Sequence, residues 1–234
     1  MVSRNTLIKI IGPVLIALIL ITLFIARLLH TTEPVPFDDA WHTISGLGNM
    51  ERNPVGFYFF QASMVLVGIL MIPVAMYVHP RLTHFHENFT RLGSFFMVMG
   101  AIGFILTGLI PDGVIEINKL HEITAGLGFG GVLFAALFYW FPLKNAENNI
   151  NQKVSMLITL LWWIPLILTI ITYGYAEFVI KDQFNLGWYG PSWREAGISP
   201  FFSFSVWERV LFGVMLAYLE LLPIMIPEDI EEKM

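Results

Sequence analysis

The 234-residue chain contains no cysteine and few charged residues. The lack of thiols excludes disulfides, thiolate metal sites and a cysteine nucleophile. Charged residues make up 13% of the chain, about half of the roughly 25% that is usual for soluble domains, whereas hydrophobic residues make up 56%. The net charge of −5 lacks the basic excess of nucleic-acid-binding proteins, so no nucleic-acid partner is predicted. This much apolar surface indicates a membrane protein.

Six apolar runs are long enough to cross a bilayer as helices, for which about 20 residues are needed. None of them shows the two-residue alternation of membrane β-barrel strands. Helices satisfy their own backbone hydrogen bonds in lipid, so the predicted fold is an all-α polytopic membrane protein, a single six-helix domain over 1–234. The predicted spans are about 7–29, 55–78, 92–110, 121–141, 154–179 and 204–226, followed by an acidic tail at 227–234.

The first run is predicted to remain as an anchor helix, because it is longer than a signal-peptide core and no cleavage site follows Arg27. With six spans, both termini lie on one side of the membrane. Lysine and arginine are denser in the connections on that side, which favours cytoplasmic N- and C-termini. We therefore expect an integral, multi-pass membrane protein in this orientation.

Three polar connections, 30–54, 111–120 and 180–203, would meet at the opposite, extracytoplasmic side of the bundle. Hydrogen-bonding side chains are frequent in all three, which predicts a polar pocket facing lipid headgroups. The candidate ligand-binding residues are His42, Ser45, Asn49, Asp112, His121, Glu122 and Arg194.

Several of these residues also have a purely structural interpretation. Asp112 follows Pro111 and is typical of a turn at a helix end. Glu122 lies in the first turn of a predicted helix, where a carboxylate interacts favourably with the helix dipole. His121 beside it is equally consistent with a solvated position at the membrane interface.

Two short motifs resemble a known family. Ile44-Ser45-Gly46-Leu47-Gly48, followed by Asn53-Pro54, is similar to the first-loop signature of the prokaryotic membrane family called domain of unknown function 998. Gly108-Leu109-Ile110-Pro111, followed by His121, is similar to a second part of its pattern. The resemblance extends over roughly residues 1–180. It implies six helices, kinship with the eukaryotic DRAM, Frag and Sfk proteins, and a role in lipid handling or membrane homeostasis.

A membrane-embedded lipid hydrolase or transferase is an alternative interpretation of the same residues. Serine, aspartate and histidine on one face are what a hydrolytic site requires, and the set resembles that of alkaline ceramidase-like intramembrane enzymes, which bind zinc. His42, Asp112 and His121 are the first candidate metal ligands, with His30 or Glu116 to complete the set. No cofactor is predicted under the preferred interpretation.

Two further patterns lie away from this face. His79, His84 and His86 favour contact with anionic lipids, with transition-metal binding as the alternative. Gly126 and Gly130 form a Gly-x-x-x-Gly frame that predicts close helix packing, with Gly100 and Gly103 as the partner face. The same small-residue face would suit dimerisation.

The sequence therefore predicts a non-catalytic membrane protein whose partners are membrane lipids. The lipid hydrolase or transferase is the first alternative. The second is an accessory subunit that contacts a partner membrane subunit or forms a homo-oligomer.

Overall fold

The computed structural model describes residues 3–30, 37–110, 112, 118–145, 162–172, 174–175, 178–179 and 194–226. The regular structure in these ranges is helical, apart from an isolated β-bridge between Asn49 and Asp112, which confirms the all-α prediction. The helices are α1 (Arg4–Leu28), α2 (Gly56–Thr83), α3 (Glu87–Leu109), α4 (Asn118–Asn145), α5 (Trp162–Thr172) and α6 (Phe204–Met225), with short 3₁₀ turns at Ser45–Gly48 and Pro200–Phe202.

Helices α1 to α4 are long and apolar enough to cross a membrane. They correspond to the first four predicted spans, which are thereby confirmed as membrane-length helices. Of the fifth predicted span, 154–179, the structure describes the 11 residues of α5 and four more. The sixth is a 22-residue helix that carries Glu208, Arg209 and Glu220.

Polar side chains define where several of these helices begin. The Ser3 hydroxyl accepts the Thr6 N–H at the start of α1, and the Ser203 hydroxyl accepts the Ser205 N–H at the start of α6. At α3 the cap is a histidine, because the His86 ring nitrogen accepts the Phe89 N–H. Each cap satisfies a backbone donor that has no partner within the helix.

Helix α3 packs between α2 and α4, and glycines allow its close approach to α4. A Cβ atom added to Gly103 would collide with the Gly128 backbone, and one added to Gly131 would collide with Gly100. Close contact of this kind is typical of membrane helix pairs. The expected partner face on α3 is therefore in place.

The predicted Gly126–Gly130 frame lies on a different side of α4 from the α3 contact. No described atom lies within 4 Å of a Cβ built on Gly126 or Gly130, and Gly126 is exposed. The glycines that touch α3 are Gly128 and Gly131, which point in another direction around the helix. The contact with α3 therefore uses glycines of α4 other than the predicted pair, and packing through Gly126 and Gly130 stays a prediction.

Large apolar side chains cover the outside of the bundle. Phe24, Met76, Phe95 and Ile123 are each more than half exposed, and the inward faces of the same helices are buried. Such a surface is unfavourable in water and suits contact with lipid acyl chains. The apolar composition and the apolar surface therefore both indicate a membrane protein.

The two ends of the bundle are fixed by contacts of α6. At one end, which we call the N-terminal end, the Arg4 guanidinium donates to the Ile224 carbonyl. At the other, which we call the first-loop end because residues 37–55 lie there, Glu208 accepts the Ile44 N–H. Helix α6 therefore extends along the whole length of α1, in the opposite direction.

Candidate functional site

The first loop is a folded segment held by its own short hydrogen bonds. The Ala40 N–H donates to the Asp38 carboxylate in a tight turn, and the Thr43 hydroxyl accepts the Gly46 N–H at the start of the 3₁₀ turn. Trp41 and Leu47 are buried beneath it. These contacts give the loop a defined surface on which its polar side chains are displayed.

Asn53 attaches this loop to two helices. Its side chain is completely buried, and its amide donates to the Ala26 carbonyl at 3.0 Å and to the Leu47 carbonyl at 2.9 Å. Its side-chain oxygen accepts the Gly56 N–H at 3.1 Å. One amide therefore joins the end of α1, the first loop and the start of α2.

Glu208 attaches the loop to α6. Its carboxylate is buried and accepts the Ile44 N–H at 2.7 Å, across 164 residues of sequence. A buried carboxylate is tolerated only when its oxygens are hydrogen-bonded. The loop backbone and the first turns of α6 therefore hold each other in place.

Five charged side chains, Arg27, Asp38, Asp39, Arg194 and Arg209, form an arginine–aspartate cluster beside this contact. The Arg27 Nε lies 2.7 Å from the Asp39 carboxylate, and Arg209 approaches the other oxygen of Asp39 at 3.5 Å. Arg194 lies 3.6 Å from Asp38. Arg27 and Asp39 are each more than a third exposed, and Arg194 is 75% exposed. The cluster therefore joins three separate segments at the surface of the first-loop end.

Phe37 is the apolar centre of this cluster. The guanidinium groups of Arg27 and Arg209 lie 5.9 and 5.7 Å from its ring centroid, within reach of a cation–π interaction. The His42 ring stacks on Phe37 at 5.0 Å, and the His30 ring lies 4.7 Å from it. Arginine side chains in such a setting are held at fixed positions without being fully neutralised.

His30 differs from its neighbour His42 in its electrostatic environment. It is buried, and burial lowers the pKa of its imidazole from the ordinary value of 6.5, with the positive charges of His42 and Arg52 acting in the same direction. The His42 Nδ1 atom lies 3.0 Å from the Asp38 nitrogen and 3.1 Å from the Asp38 carbonyl oxygen. His30 is therefore maintained in its neutral form more strongly than a free histidine.

The connection between α3 and α4 reaches the first loop through the backbone of Asp112. The Asp112 N–H donates to the Gly48 carbonyl at 3.3 Å, and the Met50 N–H donates to the Asp112 carbonyl at 3.2 Å. The Asn49 side-chain oxygen accepts the N–H groups of Glu51 and Arg52. The first two polar connections therefore meet, as the sequence predicted.

His121 lies below this junction, at the start of α4. Its Nδ1 lies 2.7 Å from the Ile110 carbonyl, to which it donates, and the side chain is 3% exposed. Its Nε2 is buried without a hydrogen-bond partner among the described residues. The predicted solvated position of His121 is therefore wrong, since the ring closes the gap between the end of α3 and the start of α4.

The described contacts join most of the predicted site residues into two groups. His42 and Arg194 both contact Asp38, whereas Asn49 and Asp112 pair through their backbones next to His121. The Ser45 hydroxyl donates to Thr43 within the loop. Glu122 is exposed on α4, and no described contact joins it to either group. As a binding site, the set remains a prediction.

Metal coordination by the predicted residues finds no support in the described part of the chain. No group of three or more histidine, aspartate or glutamate side chains there is placed to hold an ion. Glu116, one of the residues expected to complete the ligand set, lies outside the described residues. At the N-terminal end, His86 caps α3 and His79 is hydrogen-bonded to Ser94.

Sequence reasoning missed Arg27, Asp39, Glu208 and Arg209 as members of the site. Glu208 and Arg209 were visible as charges early in an otherwise apolar run, which is a costly position that signals a specific partner. Their partners lie more than 160 residues away in sequence, so no local pattern could identify them.

Comparison with known proteins gives one match. The family described as "Protein of unknown function (DUF998)" matches residues 10–223. No curated protein and no solved structure shows significant similarity.

Proposed function

This chain belongs to the DUF998 family, and we propose that it is a non-catalytic membrane protein that binds lipid headgroups at its first-loop end, in lipid handling or membrane homeostasis. The ligand is an anionic phospholipid whose phosphate contacts the arginines of the arginine–aspartate cluster. Ser45, Asn49 and Asp112 provide further polar groups along the same end.

The arginine–aspartate cluster is the observation that carries this proposal. Three arginines surround two aspartates, so the cluster has an excess of positive charge on a surface next to exposed apolar helices. Guanidinium groups bind phosphate oxygens through paired N–H donors. Because Phe37 and Asp39 already fix Arg27 and Arg209, a phosphate would bind without the cost of ordering these side chains.

The membrane topology in this proposal has six crossings, with α5 and α6 as the last two. Two contacts support it. The Trp162 and Tyr218 rings are 6.1 Å apart, and the Tyr175 and Phe202 rings are 5.6 Å apart, as expected for an α5 that runs antiparallel to α6. The charges of α6 at Glu208 and Arg209 then lie at the membrane interface, where their cost is small. Both termini are cytoplasmic.

Native mass spectrometry of the gently purified protein, with elemental analysis of the same sample, tests the proposal. We expect an anionic phospholipid to be retained and no stoichiometric metal. The double variant Arg27→Ala/Arg194→Ala should retain about 3- to 10-fold less of it, since two partly exposed charge contacts are lost. Both side chains are on the surface, so the helices should remain folded.

Arg91→Ala is the matched control. Arg91 is an exposed arginine at the N-terminal end, where it pairs with Glu87, so its removal tests for a general effect of charge. Equal lipid loss in the control and the double variant would contradict a specific headgroup site. A stoichiometric zinc ion would instead favour the lipid hydrolase, and a stable larger complex without lipid would favour an accessory subunit.

A further inference from the structure

A second polar region lies inside the bundle at the N-terminal end. The Tyr139 hydroxyl on α4 is 2.9 Å from the Ser94 hydroxyl on α3, which is 2.8 Å from the His79 Nδ1 on α2. Tyr139 is completely buried, whereas His79 and Ser94 are partly exposed. This chain of hydrogen bonds crosses three helices, so each of the three side chains has a hydrogen-bond partner.

Two neighbouring hydrogen-bond donors, on α5 and α6, have no partner in the described part of the chain. The Trp162 indole nitrogen and the Tyr218 hydroxyl are buried without a hydrogen-bond partner among the described residues. Both side chains are only 2% exposed, and their ring centroids are 6.1 Å apart. A buried donor left unsatisfied costs about 1–3 kcal/mol, so two adjacent ones require an acceptor that the described residues do not supply.

The chemistry of these two groups defines what that acceptor must be. An indole N–H can only donate a hydrogen bond. The partner must therefore present an acceptor, and one oxygen with two lone pairs can satisfy both the indole and the phenol. A cation would leave the indole N–H unsatisfied, because the indole nitrogen has no lone pair available for coordination.

The depth of the pair in the membrane points to the class of molecule. Tyr218 precedes Ile224, which is bonded to Arg4 at the N-terminal end, by six residues, or about 9 Å along the helix. The polar layer on each side of a bilayer is about 5–7 Å thick. With the arginine in that layer, Tyr218 lies near the edge of the hydrocarbon core, where the ester groups of phospholipids are found.

We propose that Trp162 and Tyr218 bind the ester carbonyl of a phospholipid acyl chain that enters the bundle between α5 and α6. This site is separate from the headgroup site at the opposite end and does not depend on it. The lipid would come from the leaflet at the N-terminal end.

Reconstitution with two lipids of identical headgroup tests the proposal. Diacyl phosphatidylglycerol has ester carbonyls, whereas dialkyl phosphatidylglycerol has ether oxygens in their place. We expect the wild-type protein to retain the diacyl lipid about 2- to 10-fold better in native mass spectrometry, the range for one net hydrogen bond. Tyr218→Phe, which removes only the hydroxyl, should reduce this preference and lower the thermal midpoint.

Tyr58→Phe is the matched control, because Tyr58 is 63% exposed at the first-loop end, and it should change neither quantity. A higher thermal midpoint for Tyr218→Phe would show that the hydroxyl is truly unsatisfied and would overturn the proposal. Equal retention of the two lipids by the wild type, with a lower midpoint for the variant, would show a bound water only and would also overturn it. The Arg27→Ala/Arg194→Ala variant should keep the ester preference whether or not the headgroup site exists.

Discussion

The side chain of Asn53 connects three backbone segments at the first-loop end. It is completely buried and makes three hydrogen bonds to the backbones of two helices and the loop. Asn53→Ala leaves two carbonyls and one N–H without this partner, so we expect the free energy of unfolding to fall by about 2–4 kcal/mol. Denaturant unfolding in detergent micelles, followed by tryptophan fluorescence, measures this change.

Asn49 provides the control for that substitution. Its side chain also accepts backbone N–H groups, from Glu51 and Arg52, but those contacts are exposed. Water can replace the lost oxygen in Asn49→Ala, so the loss should stay below about 1 kcal/mol. Similar losses in the two variants would show that burial of the Asn53 amide contributes little.

The lowered pKa of His30 predicts how stability depends on pH. Between this lowered pKa and the ordinary value of 6.5, the unfolded chain binds more protons than the folded chain, so the free energy of unfolding falls as the pH decreases through that window. His30→Gln should remove this part of the pH dependence. Thermal midpoints of both proteins across about pH 5–8 test it, and parallel curves would contradict it.

A site residue could be predicted from the sequence only where its contact partner is near in the sequence or lies in the same loop. His42, Ser45 and Asn49 were selected because polar residues gather in one connection, and the structure places all three on the folded first loop. Arg27 and Asp39 were not selected, because a single arginine at a helix end is common. The burial of His121 was missed because the sequence does not show that the ring fits under the Ile110 carbonyl.

At the scale of helices, the glycine contact between α3 and α4 gives a paired prediction. Gly103→Ala should lower the free energy of unfolding by about 1–3 kcal/mol, because its Cβ collides with the Gly128 backbone. The methyl group added in Gly126→Ala meets no neighbouring atom among the described residues, so this change should be neutral or stabilising by up to about 1 kcal/mol, since alanine favours helix. Denaturant unfolding of both variants in the same detergent compares them.

If Gly126→Ala lowered the free energy of unfolding more than Gly103→Ala does, the packing face would be the Gly126–Gly130 frame. Gly213 offers a further control, because a Cβ built there meets no described atom within 4 Å and the residue lies on α6, away from this contact. Gly213→Ala should therefore behave as Gly126→Ala does.

The positions of the helices were more predictable than their contacts. Apolar runs of about 20 residues fix where a chain crosses a bilayer, and α1 to α4 follow the predicted spans closely. Helix α2 continues past Pro73 and Pro80 to Thr83, beyond the expected end at 78. The glycine spacing in α4 could not show which side of the helix contacts α3, because α4 contains several overlapping sets of small residues.

At the scale of the whole molecule, the two polar ends differ in their construction. The first-loop end is built from connections and carries charges that are partly exposed. The N-terminal end is built from helix side chains, with a hydrogen-bonded chain from His79 to Tyr139. In the proposed orientation, the headgroup site at the first-loop end faces the outer leaflet. The ester site at Trp162 and Tyr218 faces the inner leaflet. The protein would then contact lipids of both leaflets through different parts of the lipid, headgroup on one side and ester on the other.

The natural absence of cysteine allows this orientation to be tested directly. Single cysteines introduced at Ser3 and Asn88, or added after Met234, should all lie on the cytoplasmic side under the six-crossing topology. Cysteines at Glu51 and Glu195 should lie on the other side.

A membrane-impermeant maleimide reaches only cysteines on its own side of the membrane. Added to intact cells, it should therefore label only the cysteines at Glu51 and Glu195, and it should label all five after permeabilisation. Labelling of the C-terminal cysteine together with those at Glu51 and Glu195 would mean five crossings, with α6 failing to span. Labelling of the C-terminal cysteine and Glu51 without Glu195 would instead mean that α5 fails to span. Labelling of the other three positions instead would keep six crossings but reverse the orientation, which would place the arginine–aspartate cluster on the cytoplasmic leaflet.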